Sequence, residues 1–281
     1  MIINNNVSAL NAHRNLNSTQ NSLDKTMERL SSGFRINRAA DDAAGLAISE
    51  KMRAQVTGLN QSVRNAQDGI SLIQTAEGAL TETHSMLNRM RELAVQAAND
   101  TNDDGDDRAA LQAEYTQLEE EINRVATNTE FNGKALLNGD LAEADDALVF
   151  HIGANEGQAI KVNVADMQTT ALADDGTDTL ATTSIATQED ANDAVEFIDD
   201  AIKEVSTQRA SLGAYQNRLE HTVSNLNVTK ENLQAAESRI RDADMAEEMM
   251  DFTKNQILSQ AGTAMLAQAN AKSQGVLQLL G

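Results

Sequence analysis

The sequence predicts a mainly α-helical fold: an elongated antiparallel helical bundle or coiled coil with a small β-hairpin region and paired N- and C-termini. Three observations predict it. Two segments carry seven-residue apolar repeats over many turns. Aromatic residues make up 2% of the chain and tryptophan is absent, so a deep compact core is out of reach. The two ends, residues 1–40 and 241–281, are both Asn/Gln/Ala-rich and carry an apolar stripe at helical spacing.

Each terminal stripe is too lean to make a core alone. The front contributes Leu16, Leu23, Met27, Leu30 and Phe34. The back contributes Met249, Phe252, Leu258, Met265, Leu266, Val276, Leu279 and Leu280. Such faces need a partner, either the other terminus or other copies of the chain. They point to an assembly subunit and away from a self-contained enzyme.

The first long repeat is Met52, Leu59, Ala66, Ile73, Leu80, Leu87 and Ala94. Its flanking seam starts apolar at Val56, Val63 and Ile70, then turns polar at Glu77, His84 and Arg91. The pattern predicts a helix over about residues 43–98, roughly 80 Å long. Gly58, Gly69 and Gly78 lie inside it, where each costs up to about 1 kcal/mol relative to Ala. Close helix packing is the expected reason for them. After a turn at Asn99–Asp107, a shorter repeat runs Leu111, Tyr115, Leu118, Ile122 and Val125, with Asp106 or Asp107 expected as its cap.

The middle of the chain changes period. Phe131-Asn132-Gly133-Lys134 carries an Asn-Gly turn signal. Leu148–Ile152 is apolar and β-prone, and Ile160, Val162 and Val164 alternate with Lys161 and Asn163, so a hairpin with its loop at Gly153–Gly157 is expected. Thr169–Asp190 is polar and unpatterned, which predicts an exposed loop or the stump of a variable insertion. The second long repeat is Ile198, Val205, Leu212, Leu219, Leu226, Leu233 and Ile240, flanked by Val195, Ile202, Arg209, Gln216, Val223, Lys230 and Glu237. It predicts a helix over about residues 190–250, longer than the first. The expected organisation is a terminal domain of residues 1–42 and 241–281, a helical rod of 43–130 and 190–240, and a β-hairpin region with a short variable loop at 131–189.

Composition excludes several classes. A net charge of −21 on 281 residues makes nucleic acid a poor partner and reads as a solvated outer surface. Cysteine is absent, so there is no disulfide framework, thiol nucleophile or thiolate metal site. Proline is absent too, which removes slow cis/trans steps and the strongest helix breaker. No stretch is long enough to span a bilayer, so no membrane insertion is expected, and the opening Met-Ile-Ile-Asn-Asn-Asn is not a Sec-type signal. Asp100, Asn102, Asp104 and Gly105 match the front of a calcium loop, but Leu111 stands where a bidentate Glu is required. His13, His84, His151 and His221 fall at no ligand spacing, and pairs such as Glu247-Glu248 are ordinary in so acidic a chain. No catalytic, cofactor or metal site is expected.

Specific blocks then carry a resemblance. The opening Met1–Asn6, Leu30–Glu50 (LSSGFRINRAADDAAGLAISE), Gln67–Gly78, Phe131–Lys134, Arg239–Glu248, Ala269-Asn270 and Val276–Gly281 closely resemble bacterial flagellin. The resemblance covers about residues 1–138 and 190–281. It implies a secreted, non-enzymatic subunit of the extracellular flagellar filament. The termini would pair as the inner tube, with the rod outside it. It implies export through the flagellar apparatus, largely unfolded, and addition at the distal tip. Implied partners are other copies of the chain, an export chaperone, the export apparatus, and cap and hook-junction proteins. Residues 139–190 leave no room for large outer domains.

The same resemblance implies recognition by the flagellin-sensing Toll-like receptor of animal hosts. The matching residues are Arg89, Leu93 and Gln96 on one helix face and Glu114 on the next helix, with Asn88 where many members have Gln. Leu93 lies off the strict repeat, so it is expected as an exposed apolar anchor. Two rival functions remain. A hook–filament junction protein shares the terminal blocks but diverges within Leu30–Glu50 and Arg239–Glu248, which here look like filament flagellin. A flagellin-borne metalloprotease would need a central H-E-x-x-H, which is absent.

Overall fold

A computed structural model describes residues 6–100, 106–143, 147–173 and 179–280, with side chains up to 272. Its helices are α1 (Val7–Ser32), α2 (Ala43–Ala97), α3 (Asp107–Asn128), α4 (Gln188–Arg241) and α5 (Met245–Leu280). Strands β1 (Glu130–Phe131) and β2 (Lys134–Ala135) form one antiparallel hairpin. Strands β3 (Leu148–His151) and β4 (Ala159–Val162) form another. The fold is mainly helical, as the heptads predict. The chain makes two compact units, Met1–Val56 with Glu231–Gly281 and Thr57–Lys230, and the division falls within α2 and α4.

In the central unit the two long repeats are buried seams. Leu59, Ala66, Ile73, Leu80, Leu87 and Ala94 are buried on α2, and Ile198, Val205, Leu212, Leu219 and Leu226 on α4. Two of the three polar flanking positions on α2, Glu77 and Arg91, make ion pairs to α4. Arg91 donates to Asp199, and Arg209 lies 3.9 Å from Glu77. Residue numbers fall on α2 as they rise on α4, so the helices are antiparallel. Between Leu72 and Ala97, α2 buries a second face as well: Leu72, Ala76, Met90, Leu93 and Ala97. Residues of α3 and of the segment after β4 share one continuous core with that face.

The hairpins follow their signals. Asn132 and Gly133 take φ 53° and 74°, the left-handed pair that a two-residue hairpin turn needs. Ile160, Val162 and Val164 are buried, as the alternation predicts. The β3–β4 hairpin packs on α2: Asn65 Nδ2 donates to the His151 carbonyl at 3.0 Å. A Cβ on Gly69 would meet the Phe150 ring at 3.1 Å, and one on Gly58 would meet Ala154 at 3.1 Å. These glycines therefore make room for the hairpin and not for another helix. Gly78 faces open space.

Further expectations need correction. In the described residues of Thr169–Asp190, which exclude 174–178, the chain is not simply an exposed loop. Thr169, Leu172, Leu180 and Ile185 are buried, a short 3-10 turn forms at Leu180–Thr182, and α4 starts at Gln188. Isolated apolar residues with no period plug the core here. Tyr115 Oη pairs with Thr183 Oγ1 at 2.6 Å, and burial pushes the Tyr115 phenol up to about 12.

The second long helix does not run to residue 250 and is not the longer: α4 has 54 residues to the 55 of α2. It stops at Arg241, and Asp244 Oδ1 accepts from the amides of Ala246 and Glu247 at 2.9 and 3.4 Å to start α5. Ile240 fits the heptad, which masked the start signal Asp244-Met245-Ala246-Glu247. Finally, Asp106 occupies the cap position of α3 without a side-chain bond to a free amide. The first-turn carboxylate of Asp107 still complements the helix dipole. Asn102, Asp104 and Gly105 of the calcium-loop match lie outside the described residues.

Candidate functional site

Two places carry candidate function: the paired terminal helices in one unit and the Arg89 face in the other. The pairing starts at Asn6, whose side chain accepts from the Ala9 amide at 3.1 Å and donates to the Ala269 carbonyl at 3.0 Å. At the other end Gly33, at φ 75°, closes α1 with a bond to the Arg29 carbonyl. Phe34 and Asp242 then form an antiparallel bridge, with the Arg35 amide on the Arg241 carbonyl at 2.7 Å and the Ala243 amide on the Gly33 carbonyl at 3.0 Å. The Arg241 and Arg53 guanidinium groups lie 4.7 and 5.9 Å from the Phe34 ring centre.

Between these ends α1 packs along α5. On α1, positions that are at least partly buried recur at alternating spacings of three and four: Ala9, Ala12, Leu16, Thr19, Leu23, Thr26 and Leu30. On α5 they are Glu248, Phe252, Asn255, Ser259, Gly262, Leu266 and Ala269. Most of this seam is small or polar: all but Leu16, Leu23, Leu30, Phe252 and Leu266. A Cβ on Gly262 would sit 3.1 Å from Leu16 Cδ1, so the backbones approach closely there.

The predicted stripe therefore splits. Leu16, Leu23, Leu30, Phe34, Phe252 and Leu266 are half-buried within this unit. Met27, Met249, Leu258 and Met265 are not in the seam; they are exposed, along with Val7, Leu10, Met250 and Ile257. The spacing could not separate the two groups, because a helix with apolar residues on two faces fits a stripe with either. Val276, Leu279 and Leu280 have side chains outside the described residues. The sequence reading missed Glu248 and Arg29, which form a 2.9 Å ion pair between the helices.

On the other face, Arg89 of α2 reaches Glu114 of α3 at 2.8 Å and Glu92 at 2.9 Å. The Glu114 hydrogen bond, then that of Glu92, holds the Arg89 guanidinium above its ordinary value. Arg89, Glu114 and Gln96 are exposed. Leu93 is not: it is 1% exposed and belongs to the core. The expectation of an exposed Leu93 anchor fails because this stretch of α2 is covered on two sides, while the heptad reveals only one.

Comparison with known proteins decides what this arrangement is. The model of the bacterial flagellin N-terminal helical region matches residues 3–142, and that of the C-terminal helical region matches residues 195–280. The chain belongs to the bacterial flagellin family. It is 56% identical over 280 residues to the flagellin of Halalkalibacterium halodurans, covering all of both chains. It is 53% identical over 288 residues to the flagellar filament 33 kDa core protein of Treponema phagedenis, again across all of both. The crystal structure of Bacillus cereus flagellin matches with a TM-score of 0.50 at 33% identity, over 58% of this chain and 88% of that one. In this flagellin-family chain, α1 and about the first half of the central unit lie in the N-terminal match, and α5 lies in the C-terminal one. Among the described residues no helix is long and apolar enough to cross a membrane.

Proposed function

We propose that the chain self-assembles from its monomer into the flagellar filament, with the α1–α5 pair as the assembly face. As a flagellin it is a structural protein of the extracellular flagellum and not an enzyme. The observation that carries the reading is the unsatisfied apolar surface of the terminal unit. Val7, Leu10, Met27, Met250, Ile257 and Met265 are each more than half exposed on helices whose shared seam is thin. Helices with apolar residues on two faces need more neighbours than one pair supplies. Export in a largely unfolded state, guarded by a chaperone and completed at the tip beneath a cap, suits such segments, because they gain burial and lose chain entropy together on assembly. The test is seeded polymerisation of a chain lacking residues 241–281, followed by electron microscopy. No filaments are expected, with the helicity of the central unit retained; normal filaments refute the assignment.

A second reading, recognition by the flagellin-sensing Toll-like receptor, is supported by the Arg89–Glu114 pair. Two exposed charged side chains that are 25 positions apart meet across antiparallel α2 and α3. Gln96 completes the polar surface on α2, and buried Leu93 serves to hold the helix beneath it.

A further inference from the structure

The sulfur of this chain is all methionine: ten residues, with no cysteine. Among the described residues the exposed methionines all lie in the terminal unit, which also holds the half-buried Met52. Met27, Met245, Met249, Met250 and Met265 are 53, 47, 52, 67 and 64% exposed, and all belong to the terminal unit. In the central unit Met90 and Met167 are buried, at 0 and 3%, and Met86 is half-buried. Buried methionine is ordinary core filler. Five exposed thioethers on two helices otherwise rich in Asn, Gln and Ser are not.

We propose that these five methionines form an oxidation-sensitive modification site, and that their conversion to sulfoxides by a peroxide blocks self-assembly. The inference rests on the filament reading above and adds a chemical control to it. In the reaction a lone pair of the thioether sulfur attacks one oxygen of hydrogen peroxide, and the O–O bond breaks. The sulfur is oxidised by two electrons and gains the oxygen; the peroxide is reduced and leaves as water. The absence of cysteine leaves no thiol in the chain to consume the oxidant first. The unoxidised side chain is flexible and apolar, suited to a face that must fit several neighbours. The sulfoxide is polar and chiral and disrupts methionine-rich interfaces. Burying one without a partner resembles burying an unpaired hydroxyl, which weakens association by about tenfold per site.

The experiment treats full-length monomer with hydrogen peroxide for graded times. Peptide mass spectrometry maps each sulfoxide, circular dichroism follows helicity, and seeded growth gives the lowest concentration at which filaments form. The five terminal methionines should oxidise before Met90 and Met167. Helicity should hold, and the threshold concentration should rise by at least about tenfold. Methionine sulfoxide reductases for both epimers should restore it. A chain with all five changed to leucine should polymerise and ignore peroxide. If that variant does not assemble, reductase rescue of the natural chain decides. Failure of the reductases to restore the threshold overturns the proposal.

Equal oxidation of Met90 and Met167 overturns the proposal. So does an unchanged threshold after full oxidation of the five, or helicity lost in step with oxidation, which would make the effect one of unfolding. Untreated chain that forms no filaments refutes the filament reading itself. Normal filaments that ignore peroxide refute only this inference.

Discussion

Arg29 on α1 and Glu248 on α5 stand 219 positions apart in sequence and meet at 2.9 Å. The Glu248 side chain is 10% exposed and that of Arg29 34%. This pair joins the C-terminal part of α1 to the start of α5, in a seam whose other positions are mostly small or polar. Glu248→Ala leaves Arg29 able to turn to water, so the loss should be moderate, about 1 kcal/mol. In hydrogen exchange of the monomer, amides of α1 and α5 should exchange roughly fivefold faster, with those of the central unit unchanged. Identical exchange would mean that the pair contributes nothing to the pairing.

The same measurement on the natural monomer should find α1 and α5 far less protected than α2 and α4 in the central unit. Ala12, Thr19, Asn255, Ser259 and Gly262 bury little apolar surface, whereas Leu80, Leu87, Leu212 and Leu219 are fully buried. Protection of the terminal helices should rise strongly in the polymer. Equal protection of both units in monomer would mean that the terminal unit is complete before assembly.

Tyr115 makes alkaline stability informative. Its phenol is raised from 10.0 to about 12, chiefly by burial. Between those values the folded chain keeps a proton that the unfolded chain has lost, so stability falls as pH rises from about 10 toward 12. Comparing chemical denaturation of the natural chain and Tyr115→Phe across that window isolates the effect. The variant should lose about 1 kcal/mol near neutrality, where Thr183 Oγ1 loses its donor. Its stability should then fall less steeply above pH 10. Parallel curves would place the phenol in water.

Two glycines of α2 should respond oppositely to alanine. At Gly78 nothing lies within 4 Å of an added Cβ, so Gly78→Ala should stabilise by about 0.5–1 kcal/mol through helix propensity. At Gly69 the added carbon would press on three ring atoms of Phe150 at 3.1–3.3 Å, so Gly69→Ala should be less stable than Gly78→Ala by at least about 1 kcal/mol. Thermal melts of the two variants settle it; equal stabilisation would show that the hairpin yields freely.

The receptor reading predicts that Arg89→Ala with Glu114→Ala lowers the potency of monomer in a reporter-cell dose response while the circular dichroism stays unchanged. Leu93→Ala is a different kind of variant: it removes a buried side chain and should cost about 2–5 kcal/mol of stability. Unchanged potency for the double variant leaves the Arg89–Glu114 pair as a surface ion pair only.

The sequence by itself determined the helical class, the two heptad seams, both hairpins and the family. Each of these is a local periodicity or a dense block of residues: Leu80 and Leu212 announce burial by spacing alone, and Asn132-Gly133 by the positive φ it permits. Tertiary structure decided what one element does to another. It buried Leu93, because α3 and the following segment cover a second face of α2 that a single-seam pattern cannot reveal. It drew Leu172, Leu180 and Ile185 into the core, where lone apolar residues leave no period to read. It divided the terminal stripe into an inward seam around Leu16 and Leu23 and an exposed face around Met250 and Met265. The physical reason is the same in each case: helical periodicity specifies which residues share a face, and only packing specifies what that face meets.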